Sequence, residues 1–211
     1  MSPGRGVFIV FEGGDGVGKT TQVDLLCVWL ANAGHEVLKT FEPGDSFLGA
    51  MIRRIVLDPA TGDMSPRAEA LLYAADKAQH IFSVVRPALE RGVVVVCDRY
   101  VDSMLAYQGA GRVLRLNNLE FIARWATEDL RPDLTVVLDA KLTDGVHAKS
   151  QKDRLESAGD VFHERARLFF LELARQDPEH YLVLDARASP EEIAAQVADR
   201  VAPLLSPARH P

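Results

Sequence analysis

The chain has 211 residues, enough for one domain with a sizeable core, and its net charge of −6 argues against a general nucleic-acid binder. Its 47% apolar and 26% charged residues are typical of a globular protein, and no apolar run approaches the length of a membrane span. The first residues lack the apolar stretch of a secretion signal, so we expect a cytosolic protein without nucleic-acid or membrane partners. Cys27 and Cys97 lack the paired spacing of a metal site and are interpreted as reduced core thiols.

Short apolar runs alternate with helical patterns along the chain. The β-branched run Val93–Cys97 predicts a central parallel strand that is covered on both faces, whereas Ser65 and Pro66 suit the start of a helix. The predicted strands are 7–11, 36–40, 93–97, 134–138 and 181–184, and the predicted helices are 19–33, 48–57, 66–91 with a bend near Pro87, 102–108, 117–129, 161–175 and one from 189. This order predicts a single α/β domain over 1–211, a three-layer α/β/α fold with a five-stranded parallel sheet and a polar lid segment at about 141–159.

A glycine-rich segment joins the first strand to the first helix. Gly13, Gly18, Lys19 and Thr20 match G-x-x-x-x-G-K-[ST], the P-loop in which main-chain N–H groups and a helix start surround a polyphosphate. Lys19 can reach the outer phosphates, and the Thr20 hydroxyl can hold Mg²⁺. The residues predicted to contact ATP here are Gly13, Gly14, Asp15, Gly16, Val17, Gly18, Lys19, Thr20 and Thr21. The segment therefore predicts a P-loop NTPase fold that uses ATP and Mg²⁺.

A P-loop does not by itself distinguish a kinase from a GTPase or a motor protein. The Asn-Lys-x-Asp tetrapeptide expected of a GTPase is absent from the sequence. Asp98 and Arg99 follow a buried strand, at the sheet edge where ligands collect, so Arg99 can bridge a phosphate donor and acceptor or form a surface ion pair. Asp98 can organise the metal site or orient Arg99, and Asp15 can face the acceptor or cap its own turn.

The motifs together resemble bacterial thymidylate kinase, a family of P-loop nucleoside monophosphate kinases. They occur in the family's order from about Val7 to Asp185: Phe11-Glu-Gly-Gly-Asp-Gly-Val-Gly-Lys-Thr-Thr-Gln22, Glu42-Pro-Gly44, Leu72-Tyr-Ala-Ala-Asp-Lys-Ala-Gln-His80, Asp98-Arg-Tyr-Val-Asp-Ser103, Ala106-Tyr-Gln-Gly109, Pro132-Asp-Leu-Thr135 and Phe162-His-Glu-Arg165. The resemblance implies transfer of the γ-phosphoryl group of ATP to dTMP in dTTP biosynthesis, with Mg²⁺, by a homodimer.

The resemblance also implies roles for individual residues. Asp15 would face the sugar of dTMP, Arg99 its phosphate, and Tyr73 would stack on thymine, although core packing on a helix face is the alternative for Tyr73. Tyr107 would crowd the 2′ position of the sugar. The complete substrate set is Asp15, Glu42, Tyr73, Lys77, Arg99, Ser103, Tyr107 and Gln108, with Thr20 and Asp98 at the metal and Lys19, Arg99 and Asp15 in catalysis.

Three departures from the family pattern bear on activity. Asp45, in Gly44-Asp45-Ser46 where Gly-Gly-Thr is usual, adds a negative charge near the expected acceptor phosphate, and Lys77 replaces an arginine whose planar fork it lacks. In the lid, Arg154 is predicted to contact ATP, while either Lys149 or Lys152 is predicted to be the catalytic cation. These departures leave two alternatives: a kinase for another deoxynucleoside monophosphate, and a degenerate nucleotide-binding regulator.

Overall fold

The computed structural model describes residues 5–141, 155 and 158–205 and contains one parallel sheet of five strands. The strands are β1 Phe8–Gly13, β2 Val37–Phe41, β3 Val94–Asp98, β4 Leu134–Asp139 and β5 Tyr181–Asp185. Their order across the sheet is β2-β3-β1-β4-β5, and every pair is parallel. The predicted α/β fold and five-stranded sheet are confirmed, with β2 and β3 each lying one residue later than the sequence pattern indicated.

Eight α-helices connect or flank these strands in the described part of the chain. They are α1 Lys19–Asn32, α2 Phe47–Leu57, α3 Pro66–His80, α4 Arg86–Glu90, α5 Val101–Met104, α6 Leu116–Thr127, α7 Asp160–Gln176 and α8 Pro190–Leu205. None of the helices in the described ranges is long and apolar enough to cross a membrane.

Alternate residues of β1 pack into cores on opposite faces of the sheet, as the two-residue period of a strand requires. Ile9 and Phe11 pack with side chains of α1 and α8, whereas Phe8 and Val10 pack with residues before and within α4. All four side chains are buried, so the strand has no polar face. This arrangement produces the three layers expected from the sequence.

Two π-helical segments replace parts of the predicted helices. Ile81–Val85 lies between α3 and α4 and ends two residues before Pro87, and Leu105–Gly111 follows α5. Pro87 has no N–H for the turn before it and its ring crowds the carbonyl four residues earlier, so a wider turn accommodates it. The second π segment carries Tyr107 and Gln108, and π turns are often found at functional sites.

Strand order places two functional segments next to each other. Phe11 pairs with Asp98 across β1 and β3, and the N–H of Arg99 donates to the carbonyl of Phe11 at 2.9 Å. From β1 the chain fills one half of the sheet with β2 and β3 and then the other half with β4 and β5, so the direction of winding changes at β1. Ligands of open α/β sheets bind at the carboxyl ends of strands at such a point.

Candidate active site

The P-loop leaves β1 at Gly13 and enters α1 at Lys19. Gly13 has a φ of +130°, and a Cβ there would lie 2.4 Å from the carbonyl oxygen of Leu138, so no side chain fits between β1 and β4. Gly18 has a φ of +92°, a conformation that glycine adopts readily. The N–H groups of the first turn of α1 have no acceptor within the helix, which leaves them available to an anion.

Lys19 is buried behind this loop. Its Nζ donates to the carbonyl oxygens of Gly13, at 3.1 Å, and Gly14, which are neutral partners. Burial, followed by the charge of Arg99, lowers the pKa of Lys19 to about 8. A polyphosphate in the loop would stabilise the charged ammonium that the protein interior disfavours.

Arg99 links the P-loop to the neighbouring pocket. One terminal nitrogen, Nη1, donates to the carbonyl of Gly13 and to Ser103 Oγ, both at 3.0 Å, and to the Tyr107 hydroxyl at 3.3 Å. The other, Nη2, donates to Asp15 Oδ1 at 2.5 Å. Arg99 also has a φ of +72°, a strained backbone for a residue with a side chain and one that is concentrated at functional sites.

Glu12 supports Arg99 from behind, a role that the sequence motif did not reveal. Its carboxylate accepts from the N–H groups of Tyr100 and Ser103 at 2.8 and 3.1 Å and from Ser103 Oγ at 2.6 Å. Burial raises the pKa of Glu12, although Arg99 and these hydrogen bonds oppose the shift. A carboxylate inside an otherwise apolar strand was the signal in the sequence that could have identified it.

The residues predicted to hold Mg²⁺ lie together at the carboxyl end of β3. Thr20 Oγ1 donates to Asp98 Oδ2 at 2.8 Å. Hydroxyl and carboxylate oxygens are donors that Mg²⁺ prefers, and Mg²⁺ sites of this type use few protein ligands together with substrate phosphates. The pair therefore fits the ion. The Arg99 side chain donates to other groups and not to Asp98, which favours the metal-site alternative for Asp98 over orientation of Arg99.

A pocket opens beside Arg99, and all eight residues predicted to bind the acceptor line it. Sequence reasoning missed Arg53 on α2, whose Nη1 donates to the carbonyl of Pro43 at 2.6 Å. The other lining residues that it did not identify are Pro43, Leu57, Met104 and Leu155. Four of these five missed residues are apolar, and Leu57 and Met104 occupy helix positions that a simple core would also explain.

Two tyrosines, Tyr73 and Tyr107, line this pocket. Tyr73 belongs to the hydrophobic core and also lines the pocket, so the packing and ligand interpretations both apply to it. The ring of Tyr107 stacks on Phe162 at 5.8 Å and lies 5.4 Å from the Arg99 guanidinium carbon. Gln108 is buried, and its Nε2 donates to Glu69 Oε1 at 3.0 Å. The walls are therefore fixed by packing and by hydrogen bonds behind them.

A buried ion pair forms another wall. The Lys77 ammonium donates to Glu42 Oε2, and the two side chains are 3% and 1% exposed. Burial acts to lower the pKa of Lys77, but the attraction of Glu42 outweighs it and raises that pKa. Burial acts to raise the pKa of Glu42, but Lys77 and His80 outweigh it and lower that pKa. Both groups are therefore charged near neutral pH.

The structure corrects the placement expected for Asp45. Its Oδ2 accepts from the Thr40 hydroxyl at 2.6 Å, and Asp45 does not belong to the pocket lining. The added negative charge is thus directed towards β2 rather than towards the acceptor site. The three lid residues assigned from the sequence, Lys149, Lys152 and Arg154, lie outside the described residues.

Comparison with known proteins gives one consistent result. Residues 11–197 match the family model described as thymidylate kinase. A thymidylate kinase from Cutibacterium acnes is 57% identical over 95% of this chain and 98% of its own, and one from Clavibacter michiganensis is 54% identical over 95% and 97%. The crystal structure of thymidylate kinase from Ehrlichia chaffeensis has 27% identity and a TM-score of 0.78, covering 95% of this chain and 99% of that one.

Proposed function

The chain belongs to the thymidylate kinase family, as its ordered motifs predicted, and we propose that it transfers the γ-phosphoryl group of ATP to dTMP between the P-loop and the Arg99 pocket. One observation carries the site assignment. Arg99 Nη1 and Lys19 Nζ both donate to the carbonyl oxygen of Gly13, at 3.0 and 3.1 Å. Two cations, one at the start of α1 and one just after β3, therefore converge where the phosphates of donor and acceptor would meet.

The proposed mechanism relies on position and charge. The P-loop and Lys19 hold the β- and γ-phosphates of ATP, and Arg99 leaves its neutral partners to hold the phosphate of dTMP in line. Thr20 and Asp98 would hold Mg²⁺, which supplies neutralisation of phosphate charge when it is bound. No general base is required, because the accepting group is already a phosphate. The protein contributes donors that are in place before charge develops in the transition state.

The proposed roles of pocket residues follow from their positions. Tyr73 offers an aromatic face to the base, Tyr107 borders the sugar, and Asp15 is held by Arg99 where it can accept from a sugar hydroxyl. Lys77 and Gln108 lie on the lining with buried carboxylate partners, so their remaining N–H groups can be directed to the ligand. The pocket thus offers a flat apolar contact and several polar contacts in one enclosure.

A panel of nucleoside monophosphates tests this proposal. Purified protein with ATP and Mg²⁺ is expected to produce ADP fastest with dTMP, and the Lys19→Ala variant should be inactive while keeping its fold by circular dichroism. Faster turnover of another deoxynucleotide would favour the first alternative. Binding of ATP and dTMP without ADP production would favour a degenerate regulator, and no binding of dTMP would remove the proposal.

A homodimer is also proposed, from apolar side chains exposed on three adjacent helices. α2 packs against α3 and α3 against α6. The exposed side chains are Leu48, Met51 and Ile55 on α2, Leu71 on α3, and Phe121 and Trp125 on α6. Clusters of exposed apolar residues are typical of subunit interfaces. Sedimentation velocity should give twice the chain mass, and Met51→Glu should shift it towards the monomer; a monomeric wild type would contradict the proposal.

The remaining assignments stay predictions from the sequence. They are the catalytic role of Lys149 or Lys152, the ATP contact of Arg154, the single-domain organisation with a lid at about 141–159, and the cytosolic location.

A further inference from the structure

A continuous chain of polar contacts runs through the protein behind Lys77. His80 Nδ1 lies 2.8 Å from Glu42 Oε1, and His80 Nε2 lies 2.6 Å from Thr40 Oγ1. Thr40 Oγ1 also lies 2.6 Å from Asp45 Oδ2, while Glu42 Oε2 accepts from Lys77. His80 is fully buried, and Asp45 is half-buried. No assignment from the sequence motifs gave His80 a role.

The protons available to this series of hydrogen bonds determine the protonation state of His80. A carboxylate can only accept, so the single hydroxyl proton of Thr40 is used in its contact with Asp45. The close approach of His80 Nε2 to Thr40 then requires a proton on Nε2. On the other side Glu42 is ionised and also only accepts, which requires a proton on Nδ1. Both ring nitrogens therefore donate, and a ring with two protons is an imidazolium.

The charges around the ring lead to the same conclusion. Lys77 alone cannot balance Glu42 and Asp45, and a positive His80 makes this group of four neutral. Asp76, on the same helix, adds further negative charge: burial raises its pKa to about 6, one of its oxygens accepts from the N–H of Gly44, and the other has no partner. Cys97 and Tyr100 also lie near Glu42, and burial raises the pKa values of both well above the ordinary range. They remain neutral and do not change the balance.

We propose that His80 is a positioning residue, a buried imidazolium that shares Glu42 with Lys77 and so holds the Lys77 ammonium at the wall of the acceptor pocket. With His80 neutral, Glu42 would have one cationic partner, and Lys77 would be drawn further onto both carboxylate oxygens and away from the ligand. The consequence for acceptor binding rests on the proposed function, whereas the protonation of His80 does not. His80 touches neither substrate and acts through Glu42.

Nuclear magnetic resonance of ¹⁵N-histidine-labelled protein tests the protonation directly. At pH 7.5 the wild type is expected to show one ring with both nitrogens protonated and protected from exchange, and the signal should be absent from His80→Gln. A His80 ring with one unprotonated nitrogen would overturn the proposal. This measurement needs neither ATP nor dTMP, so it stands even if dTMP is not the acceptor.

Asp45→Ala is the most informative variant, because it removes the acceptor that uses the hydroxyl proton of Thr40. With no carboxylate at position 45, the Thr40 proton turns to His80 Nε2, and the ring no longer needs its second proton. The spectrum at pH 7.5 should then show one unprotonated nitrogen. Because Asp45 is half-buried at a turn, this variant remains informative if His80→Gln fails to fold. An unchanged doubly protonated ring would contradict the proton count.

Kinetics separate positioning from a structural role. His80→Gln is expected to raise KM for dTMP about tenfold, the value of one charge-assisted hydrogen bond, with kcat changed less than about threefold. Asp45→Ala should raise KM roughly threefold. His180→Gln is the matched control, because the exposed His180 pairs with Asp177 at 2.8 Å on the surface, and its KM should equal that of the wild type. If His80→Gln leaves KM unchanged, or lowers kcat and KM together, the positioning role is wrong. If the protein does not turn over dTMP, the affinity for dTMP measured by calorimetry takes the place of KM.

Discussion

The two ends of the active-site cleft hold their cations in different ways. At the phosphate end, Lys19 donates to two main-chain carbonyls, and Arg99 divides its hydrogen bonds between a carbonyl, two hydroxyls and Asp15. At the base end, Lys77 and His80 both contact the buried carboxylate of Glu42. Apart from Asp15, the partners at the phosphate end are neutral and can be exchanged for phosphate oxygens at little electrostatic cost, whereas separating a buried ion pair is expensive. The first end is suited to binding and release, and the second to maintaining a shape.

The largest expected effect is the loss of activity when Arg99 is substituted at the phosphate end. Arg99→Ala should lower kcat by about a thousandfold, because it removes donors aimed at transferring and accepting phosphates. Arg99→Lys should recover little, since an ammonium cannot replace a planar fork with four partners. Steady-state kinetics with dTMP measure both variants. Arg131→Ala is the control, because Arg131 lies on the surface beside Asp177 and should leave kcat unchanged; near-normal turnover of Arg99→Ala would refute the assignment.

The next effect comes from a substitution at the base end and should appear as a loss of stability. Glu42→Gln leaves the buried Lys77 without a carboxylate, and removing one partner of such a pair costs about 3 kcal/mol. Urea unfolding at pH 7 measures the free energy of unfolding. Glu36→Gln, at an exposed position, should change it by less than about 0.5 kcal/mol. An equal, small effect of both substitutions would mean that the two ends of the cleft do not differ.

The same contrast explains how much the sequence could predict. The sequence could predict the strands, the P-loop and Arg99 because their positions depend on where each strand ends and on local backbone conformation. Both features follow from local patterns, such as the apolar run Val93–Cys97 and the glycines of the loop. Six of the eight acceptor residues were named only through the family resemblance, Asp15 and Arg99 being the exceptions, and the structure brings all eight into one pocket. Periodicity alone placed Tyr73 in the core, which is also correct.

The base end was harder to predict because partner choice there depends on tertiary contacts. Asp45 was expected near a phosphate but faces Thr40, since the turn after Pro43 directs its side chain towards β2. His80 received no role, although its spacing of three residues from Lys77 puts both on one face of α3. That spacing was the available signal. The π segments were also missed, because a one-residue widening of a turn leaves the hydrophobic pattern nearly unchanged.

A smaller effect at the phosphate end is the pH dependence of ATP binding. Lys19 has a pKa of about 8 in the ligand-free protein, lowered by burial and by Arg99, and ATP binds the charged form. Above pH 8 the Lys19 amine is unprotonated in the ligand-free protein, so ATP binding takes up one proton. The Kd for ATP should then rise by nearly tenfold per pH unit. Calorimetry in two buffers of different ionisation enthalpy at pH 9 measures that uptake. Lys19→Arg, which stays charged, should not show it; a pH-independent wild-type affinity would contradict the shift.

The smallest effect compares lysine with the arginine usual in the family. Lys77→Arg should lower Kd for dTMP about two- to fivefold, because a guanidinium can pair with Glu42 through one edge and still direct N–H groups into the pocket. Glu42 Oε1 is already occupied by His80, so the new side chain has a single oxygen to satisfy and retains free donors. Calorimetric titration of dTMP measures the change, with Lys39→Arg as a control at an exposed ion pair. An unchanged or higher Kd would mean that the base end holds Lys77 for stability alone, and that its ammonium contributes nothing to acceptor affinity.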